Sequence, residues 1–432
     1  MKIAIIGAGV TGMAAAWDLV RAGHEVTIYE AESAVGGLAG GFRDDHWAWS
    51  LEKFYHHWFQ SDIDVLKLAE EMGVRDQILF PRPKTSFWID GKILRSEISP
   101  SALFLPLSLI AKLRFGAVGA FVKLFPFWKP LERVTADAFF LRFMGEEAYG
   151  KFFRPLLIGK FGEQYDKVNM AWMWARVKTR TLRLGIFTGG FQAFLDTMAK
   201  AITDRGAKIC LNTPVEKIEL VNLQPTLTIK GEQHSFDRVL TTTSPKLLLK
   251  MAPALANTNY GDQAANLSSI GALCVILATK QQLLTDGTYW LNLPANSPDK
   301  KKSRFPFLAL VEHTNWMDKA NYGGDHLLYL GDYVPANHEY FRLTDEEVVE
   351  RFTAALPTIN PAFSKDWIRK AWVFRAPYAQ PVPYINHSED IPALQTPLPG
   401  VFWGSMSQVY PWDRGTNYAV RMGREIAHMM LK

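Results

Sequence analysis

The chain has 432 residues, 48% of them hydrophobic and 21% charged. That balance excludes a disordered or fibrous protein and supplies a core large enough for two intertwined domains. A dispersed net charge of +5 gives no footprint for nucleic acid and leaves only a slight pull toward anionic lipid or phosphorylated substrates.

The chain opens on a short apolar run, Lys2 to Ile6, which reads as a buried strand. Gly7, Gly9 and Gly12 follow as G-x-G-x-x-G, with Val10 and Thr11 leading into a helix. The first glycine permits a tight turn, the second lets backbone approach a pyrophosphate, and the third lets helix pack on strand. Phosphate at such a helix start meets free N–H groups and the positive end of the dipole. Ala16, Leu19 and Gly23 continue and close the helix, and Val26 to Tyr29 reads as the second strand. Glu30 stands at its tip, 18 residues after Gly12, where a carboxylate takes ribose hydroxyls and repels a 2′-phosphate. NADP is therefore disfavoured. The opening run is strand-length and shows no secretory pattern, so a cytoplasmic location is expected.

A glycine doublet, Gly36-Gly37, comes next, and Gly40-Gly41 after it. A plain NAD unit needs no second glycine turn here, whereas an FAD site does. In these features the sequence resembles the flavoprotein family of monoamine oxidases, protoporphyrinogen oxidase, phytoene desaturases and UDP-galactopyranose mutase. The resemblance implies FAD as cofactor and an Arg after the doublet to hold the pyrophosphate; this chain has Leu38 there. It also implies that the following aromatic stretch passes the isoalloxazine ring, with a histidine beside the flavin in the mutase branch. Tyr55, His56 and His57 are the candidates by position. His56 and His57 are adjacent and point to opposite faces of a strand, a poor geometry for shared metal binding. The alternative is that they are satisfied core or surface histidines.

Residues 61–74 read as a helix with Ser61 as N-cap and Gly73 closing it, and Asp90-Gly91 as the turn of a hairpin. The segment 99–134 mixes large apolar side chains with Lys112, Arg114, Lys123 and Lys129, and none of its apolar runs reaches the ~18 residues that span a bilayer. It suits helices lying on a membrane surface, the lid of a tunnel for an apolar substrate, or helices packed on the rest of the domain. Protoporphyrinogen oxidase carries a membrane-docking insertion in a similar place. Thr135 caps a further helix closed by Gly145, and Lys160, Arg176 and Arg180 follow in helical segments, facing either an anionic substrate group or solvent.

Gly189-Gly190 opens an amphipathic helix with Phe191, Phe194, Leu195 and Met198 on one stripe; residues 208–220 then read as a strand. In the resembled family the residue matching Val215 contacts the adenine through its backbone. Thr243 and Ser244 end a further strand at the cofactor edge. No second G-x-G-x-x-G follows, and the two cysteines, Cys210 and Cys274, form no C-x-x-C, so a disulfide reductase is excluded. Both cysteines read as buried thiols, and no metal site is expected.

Between about 250 and 385, strand-like runs alternate with a helix at 345–356, opened by the Thr344/Glu347 capping box and stopped by Pro357. Arg375, Tyr378 and Tyr384 lie where the family's chain returns to the flavin, and are read as ligand-facing or as structural strand-end groups. The chain closes with a strand ending at Gly404, a loop, and a helix opening at Gly415-Thr416-Asn417. A helix start aimed at the flavin stabilises the charge that gathers there on reduction. The family places Asp or Glu after this glycine to hold the ribityl chain. Here Ser405 stands in that place, and either Asp413 takes over the contact or Asp413-Arg414 is a surface ion pair.

The expected fold is α/β: a discontinuous Rossmann-like FAD-binding domain (1–75, 185–250 and 386–432) with an inserted substrate domain (76–184 and 251–385), of which 99–184 is mostly helical. The expected function is an FAD-dependent oxidoreductase that removes a hydride or electron pair from a large hydrophobic substrate, isoprenoid- or porphyrin-like, with oxygen or a quinone as acceptor. One alternative is a non-redox flavin-dependent mutase acting on a nucleotide- or lipid-linked sugar, and another is a non-catalytic flavin-binding membrane or assembly protein. Peripheral membrane contact is expected through 99–134.

Overall fold

Lys2–Ile6, Glu25–Tyr29, Lys208–Cys210, Arg238–Thr241 and Val401–Trp403 come from distant parts of the chain and pair in parallel as one five-stranded sheet. The computed structural model describes residues 1–95 and 106–432. Ile3, Ala4 and Ile5 are fully buried because helices cover this sheet, as the unbroken apolar run requires. Helices Val10–Arg21, Phe191–Thr203 and Thr416–Met430 pack with it in one core. The single strand expected at 208–220 divides in two. Lys208–Cys210 stays in the parallel sheet, while Val215–Val221 starts a separate antiparallel sheet with Gln224–Ile229 and Glu232–Ser235. Asn212, at φ 50°, and Pro214, which has no N–H to donate, break the ladder between them.

The second large sheet has seven strands in the order Ile368–Pro381, Ser269–Thr279, His326–Val334, Ala309–Glu312, Trp290–Asn292, Thr85–Ile89 and Lys92–Arg95. Its pairs are antiparallel except that between Trp290–Asn292 and Thr85–Ile89. Alternation along the strands divides its faces. Cys274, Ile276, Tyr329 and Phe374 turn toward the core of the parallel sheet, whereas Leu273, Val275, Leu330 and Val373 pack under helix Asp345–Thr353.

Local signals held where their chemistry was complete. Asp90 (φ 51°) and Gly91 (φ 79°) are both left-handed, as a two-residue hairpin turn demands. Thr344 and Glu347 form both bonds of their capping box, but the helix ends at Thr353, and Pro357 instead sits in the first turn of the next short helix, Leu356–Ile359. Cys274 is buried while Cys210 is half-exposed, which corrects the reading of both as core thiols.

The helical region includes Leu109–Leu124, Ala136–Phe143, Arg154–Phe161 and Met170–Thr179. The first of these buries Ala111, Val118 and Val122, yet exposes Leu109 by 73% and Leu124 by 77%, with Ile110 and Leu113 also outward. Positions 99–105 of that segment lie outside the described residues. Among the described residues no helix is long and apolar enough to cross a membrane.

Candidate cofactor and substrate site

The two glycine turns meet. The Gly36 N–H donates to the Ala8 carbonyl at 2.9 Å, and Gly9 and Gly36 form an isolated parallel bridge. Gly7 adopts φ 105°, and a Cβ on Gly12 would lie 2.1 Å from the Gly7 carbonyl oxygen, so the helix from Val10 and Thr11 sits directly on the turn. A Cβ on Gly9 would meet nothing within 4 Å. The loop therefore keeps open the space a pyrophosphate needs, and the residues fit the cofactor their motif implies. Glu30 accepts from the Ala8 N–H at 2.7 Å and the Glu32 N–H at 3.0 Å, which holds its carboxylate beside the loop. Gly37 follows in a short turn with Leu38, whose side chain is exposed, so nothing replaces the absent arginine at that position.

The other cofactor segments arrive on the same sheet. The Thr213 N–H donates to the Glu30 carbonyl, which brings Val215 alongside the second strand. The Gly404 N–H donates to Thr241, and Thr243 accepts from the Trp403 indole through its carbonyl. The Ser405 hydroxyl does not stand free for a ribityl chain. It bonds Tyr378 at 2.6 Å and caps the turn Met406–Gln408. Gly415 is exposed with open space at its Cα, while the Thr416 hydroxyl accepts from the Trp58 indole at 2.6 Å.

Asn417 stands in the first turn of helix Thr416–Met430, as its place after Gly415 implies. Its buried Oδ1 accepts from the N–H groups of Asp64 and Val65, so it caps helix Ile63–Glu71 from across the structure. Ser61, expected as that cap, donates to the Thr179 carbonyl instead.

Tyr55, His56 and His57 sit between the two large sheets, while Tyr378 turns its hydroxyl to Ser405 and Ser407. Tyr55 packs edge-on against Trp290 and Tyr329 and lies against Gly331 of the seven-stranded sheet. His56 donates from Nδ1 to the Phe54 carbonyl at 2.5 Å; burial, and behind it Arg414, lowers its pKa to about 4. Burial lowers His57 to about 3, with Arg180, His56 and Arg176 adding to the effect, and its buried Nδ1 has no partner. Both imidazoles are neutral at pH 7. These side chains lie deep among protein atoms yet keep partial solvent access.

Arg375 and Tyr384 stand apart from this group. Arg375 alternates with Phe374 and so points to the opposite face, where it binds Asp345 and the carbonyls of Tyr340 and Leu343. The Tyr384 hydroxyl holds Gln164 and Ser268, and its carbonyl accepts from Asn169, which joins the sheet end to the helical region.

Asp413-Arg414 is no surface pair. The Asp413 carboxylate takes Arg176 and Lys160 on Oδ2, the latter at 3.7 Å, and on Oδ1 the Trp172 indole at 3.2 Å with Arg414 at 3.6 Å. Burial alone would raise its pKa, but Lys160, Arg176 and Arg414 together hold it well below the usual carboxylate range. Arg414 also donates to Gln380 at 2.5 Å and to the Tyr333 hydroxyl at 2.6 Å. Sequence reasoning missed Trp290, Tyr333 and Glu52. The first two sit in strands where only tertiary pairing shows which face is lined. Glu52, a buried carboxylate taking the Phe191 N–H at 2.8 Å, carries no local signal at all.

A doubly glycine-turned nucleotide cradle on a parallel sheet, with an aromatic cluster packed on a second sheet, defines a flavoprotein of the two-sheet type. The chain belongs to the flavin containing amine oxidoreductase family, whose model matches residues 10–431, and its cofactor is FAD. It is 40% identical over 81 residues to a zeta-carotene desaturase of Synechocystis sp., a match covering 18% of this chain and 16% of that protein. The match thus spans under a fifth of that relative. A candidate protoporphyrinogen oxidase from Exiguobacterium sp. shares the fold at TM-score 0.78 with 17% identity, covering 100% of this chain and 98% of the other. Reduced UDP-galactopyranose mutase does so at 0.77 with 18% identity, covering 100% and 95%.

Proposed function

We propose that the protein is an FAD-dependent oxidoreductase that takes a hydride or electron pair from a large, mostly apolar substrate held between the glycine cradle and the seven-stranded sheet. The observation that carries this reading is the convergence of the glycine turns, the Gly404 strand and the Gly415 helix start on one sheet, with the aromatic cluster of Tyr55, Trp290 and Tyr329 on the other. Gly7, Gly9, Gly12, Gly36, Gly37 and Glu30 would hold the dinucleotide half of FAD, with Val215, Thr243 and Gly404 beside it. FAD, when bound, supplies the acceptor of the electron pair. The chain's part is to seat the substrate against Tyr55, Trp290 and Tyr378, exclude water, and offer His56 or His57 as a neutral proton acceptor. Oxygen or a quinone would then reoxidise the cofactor. The outward apolar side chains of helix Leu109–Leu124, with Phe127 exposed by 64%, support contact with a lipid surface from which such a substrate is drawn.

The test is anaerobic bleaching of the bound flavin by a panel of isoprenoids, porphyrinogens, amines and nucleotide sugars. Bleaching by an apolar member is expected. Turnover seen only after chemical pre-reduction would transfer the assignment to rearrangement of a nucleotide- or lipid-linked sugar, a reading that the cations beside Tyr55 and His57 also support. Gly9→Val is expected to give colourless protein, because the added side chain enters the open space above the loop.

A further inference from the structure

Lys160, Arg176, Arg180 and Arg414 bring four cationic groups together beside Tyr55 and His57. Among the described residues, the ion pairs of Lys160, Arg176 and Arg414 all go to Asp413, and Arg180 has no ion pair or side-chain hydrogen bond. Asp413 cannot serve a fourth cation. One of its oxygens already takes Arg176 and Lys160, and the other takes Trp172, Arg414 and, at 3.5 Å, Gln380. The Lys160 ammonium sits 5.0 Å from the Trp172 ring centre and 5.2 Å from that of Tyr333, with no hydrogen-bond acceptor among the described residues. Burial, then the three neighbouring arginines, drive Lys160 well below its ordinary value, and burial with Arg176 brings Arg180 down to about 10. Arg180 nevertheless is exposed to solvent, so its guanidinium is open to a ligand.

Positive charge crowded in this excess around a buried lysine is unfavourable by itself and is relieved by a ligand of opposite sign. Three planar guanidinium forks beside one ammonium match oxygen anions in particular. We propose that this cluster is the oxyanion subsite of the substrate site, and that the substrate is amphipathic, with a phosphate or carboxylate head held here and an apolar body against the aromatic side chains. The inference rests on the oxidoreductase reading for its placement and narrows the substrate class. A cationic amine would be repelled from this cluster, and a plain hydrocarbon would leave its charge uncompensated.

The experiment uses the FAD-loaded full chain, so that the cofactor's own phosphate site is filled. Inorganic pyrophosphate and decanoate are titrated at fixed ionic strength against sodium chloride, with melting temperature and calorimetric affinity as readouts. At least one of the two anions is expected to bind and to raise the melting temperature beyond the chloride control, and the tighter one identifies the head group as phosphoryl or carboxylate. Arg180→Gln and Arg176→Gln are each expected to weaken that anion about tenfold or more, the scale of a lost charge-assisted hydrogen bond. Lys301→Gln, at a side chain 74% exposed, is expected to change nothing. Indifference to both anions, or undiminished affinity in the arginine variants, overturns the inference. If Arg180→Gln loses its flavin, Arg176→Gln decides alone. Wild-type protein that never holds FAD would defeat the proposed function instead, whereas anion indifference with the flavin in place defeats only the oxyanion subsite.

Discussion

Two charged clusters in this molecule use the same residue types to opposite ends. Beneath the aromatic segment, Asp44 and Asp325 meet Arg369, Lys370 and His46. Arg369 spans both carboxylates at 2.7 Å, Lys370 takes Asp44 at 2.5 Å, and the His46 ring lies 3.0 Å from Asp325. Asp44, His46 and Asp325 place their ligand atoms within 4.8 Å of one another, an arrangement that also suits a metal ion, but here the arginine and lysine supply the positive charge. Hydrogen bonds from Lys370 and Arg369 outweigh burial and lower the Asp44 pKa, and Arg369 does the same for Asp325. Acids and bases match, and the cluster ties residues 44–46 to the edge strand Ile368–Pro381. At Asp413 the bases outnumber the acid four to one. A matched cluster closes a structure, whereas an unmatched one stays open to a partner.

The largest effect expected is for Asp413→Asn, which removes the one carboxylate from the outnumbered cluster. It should cost about 3–5 kcal/mol in denaturant unfolding, the range for breaking a buried pair, with part of the loss restored by pyrophosphate. Unchanged stability would mean that Asp413 does not hold Lys160, Arg176 and Arg414 together. Glu52 extends the comparison to an acid with no cation at all. It is 1% exposed, and burial outweighs its hydrogen bonds from Phe191 and Tyr329, raising it from 4.5 to about 7. The folded state thus holds this proton more tightly than the unfolded chain. Its contribution is complete below pH 4.5 and is lost as pH rises through 7, about 3 kcal/mol over the window. Glu312 rises to about 7 for the same reason, so Glu52→Gln should remove only the share of Glu52, read as the difference between the variant and wild-type stability profiles between pH 4.5 and 7. An unaltered pH profile would show that Glu52 is ionised in the fold.

A paired substitution tests the contrast itself. Arg369→Gln leaves two buried carboxylates with Lys370 and His46 alone and should cost about 2–3 kcal/mol. Arg180→Gln removes a cation from the crowded cluster and should shift unliganded stability by no more than about 0.5 kcal/mol. Equal losses in the two variants would erase the distinction between closed and open clusters.

The cofactor half was legible because it is written in backbone. Gly7, Gly9, Gly12 and Gly36 serve through left-handed turns or missing Cβ atoms, and no other residue leaves that trace in a sequence. The substrate side is written in side chains converging from separate elements. Lys160, Arg176 and Arg180 stood out as cations, but nothing local placed Asp413 among them. Period-two alternation decided that Arg375 faces away from Phe374, and a strand's buried face is fixed only once its neighbours are known. Asn417 stands in the first turn of its own helix, as read, but its amide also reaches the start of a different helix 353 positions away, a contact that leaves no local trace.

Asn417→Ala is the smallest effect and isolates a neutral contact from all three charge environments. Losing the acceptor shared by the Asp64 and Val65 N–H groups, at 2.9 and 3.1 Å, should cost about 1 kcal/mol, the usual worth of an N-cap. Since no charge changes, the loss should be the same at low and high salt, unlike those at Asp413 and Arg369. Flavin content should stay at the wild-type level, because the side chain is spent on helix Ile63–Glu71. A variant of normal stability that emerges without its yellow colour would return Asn417 to the cofactor.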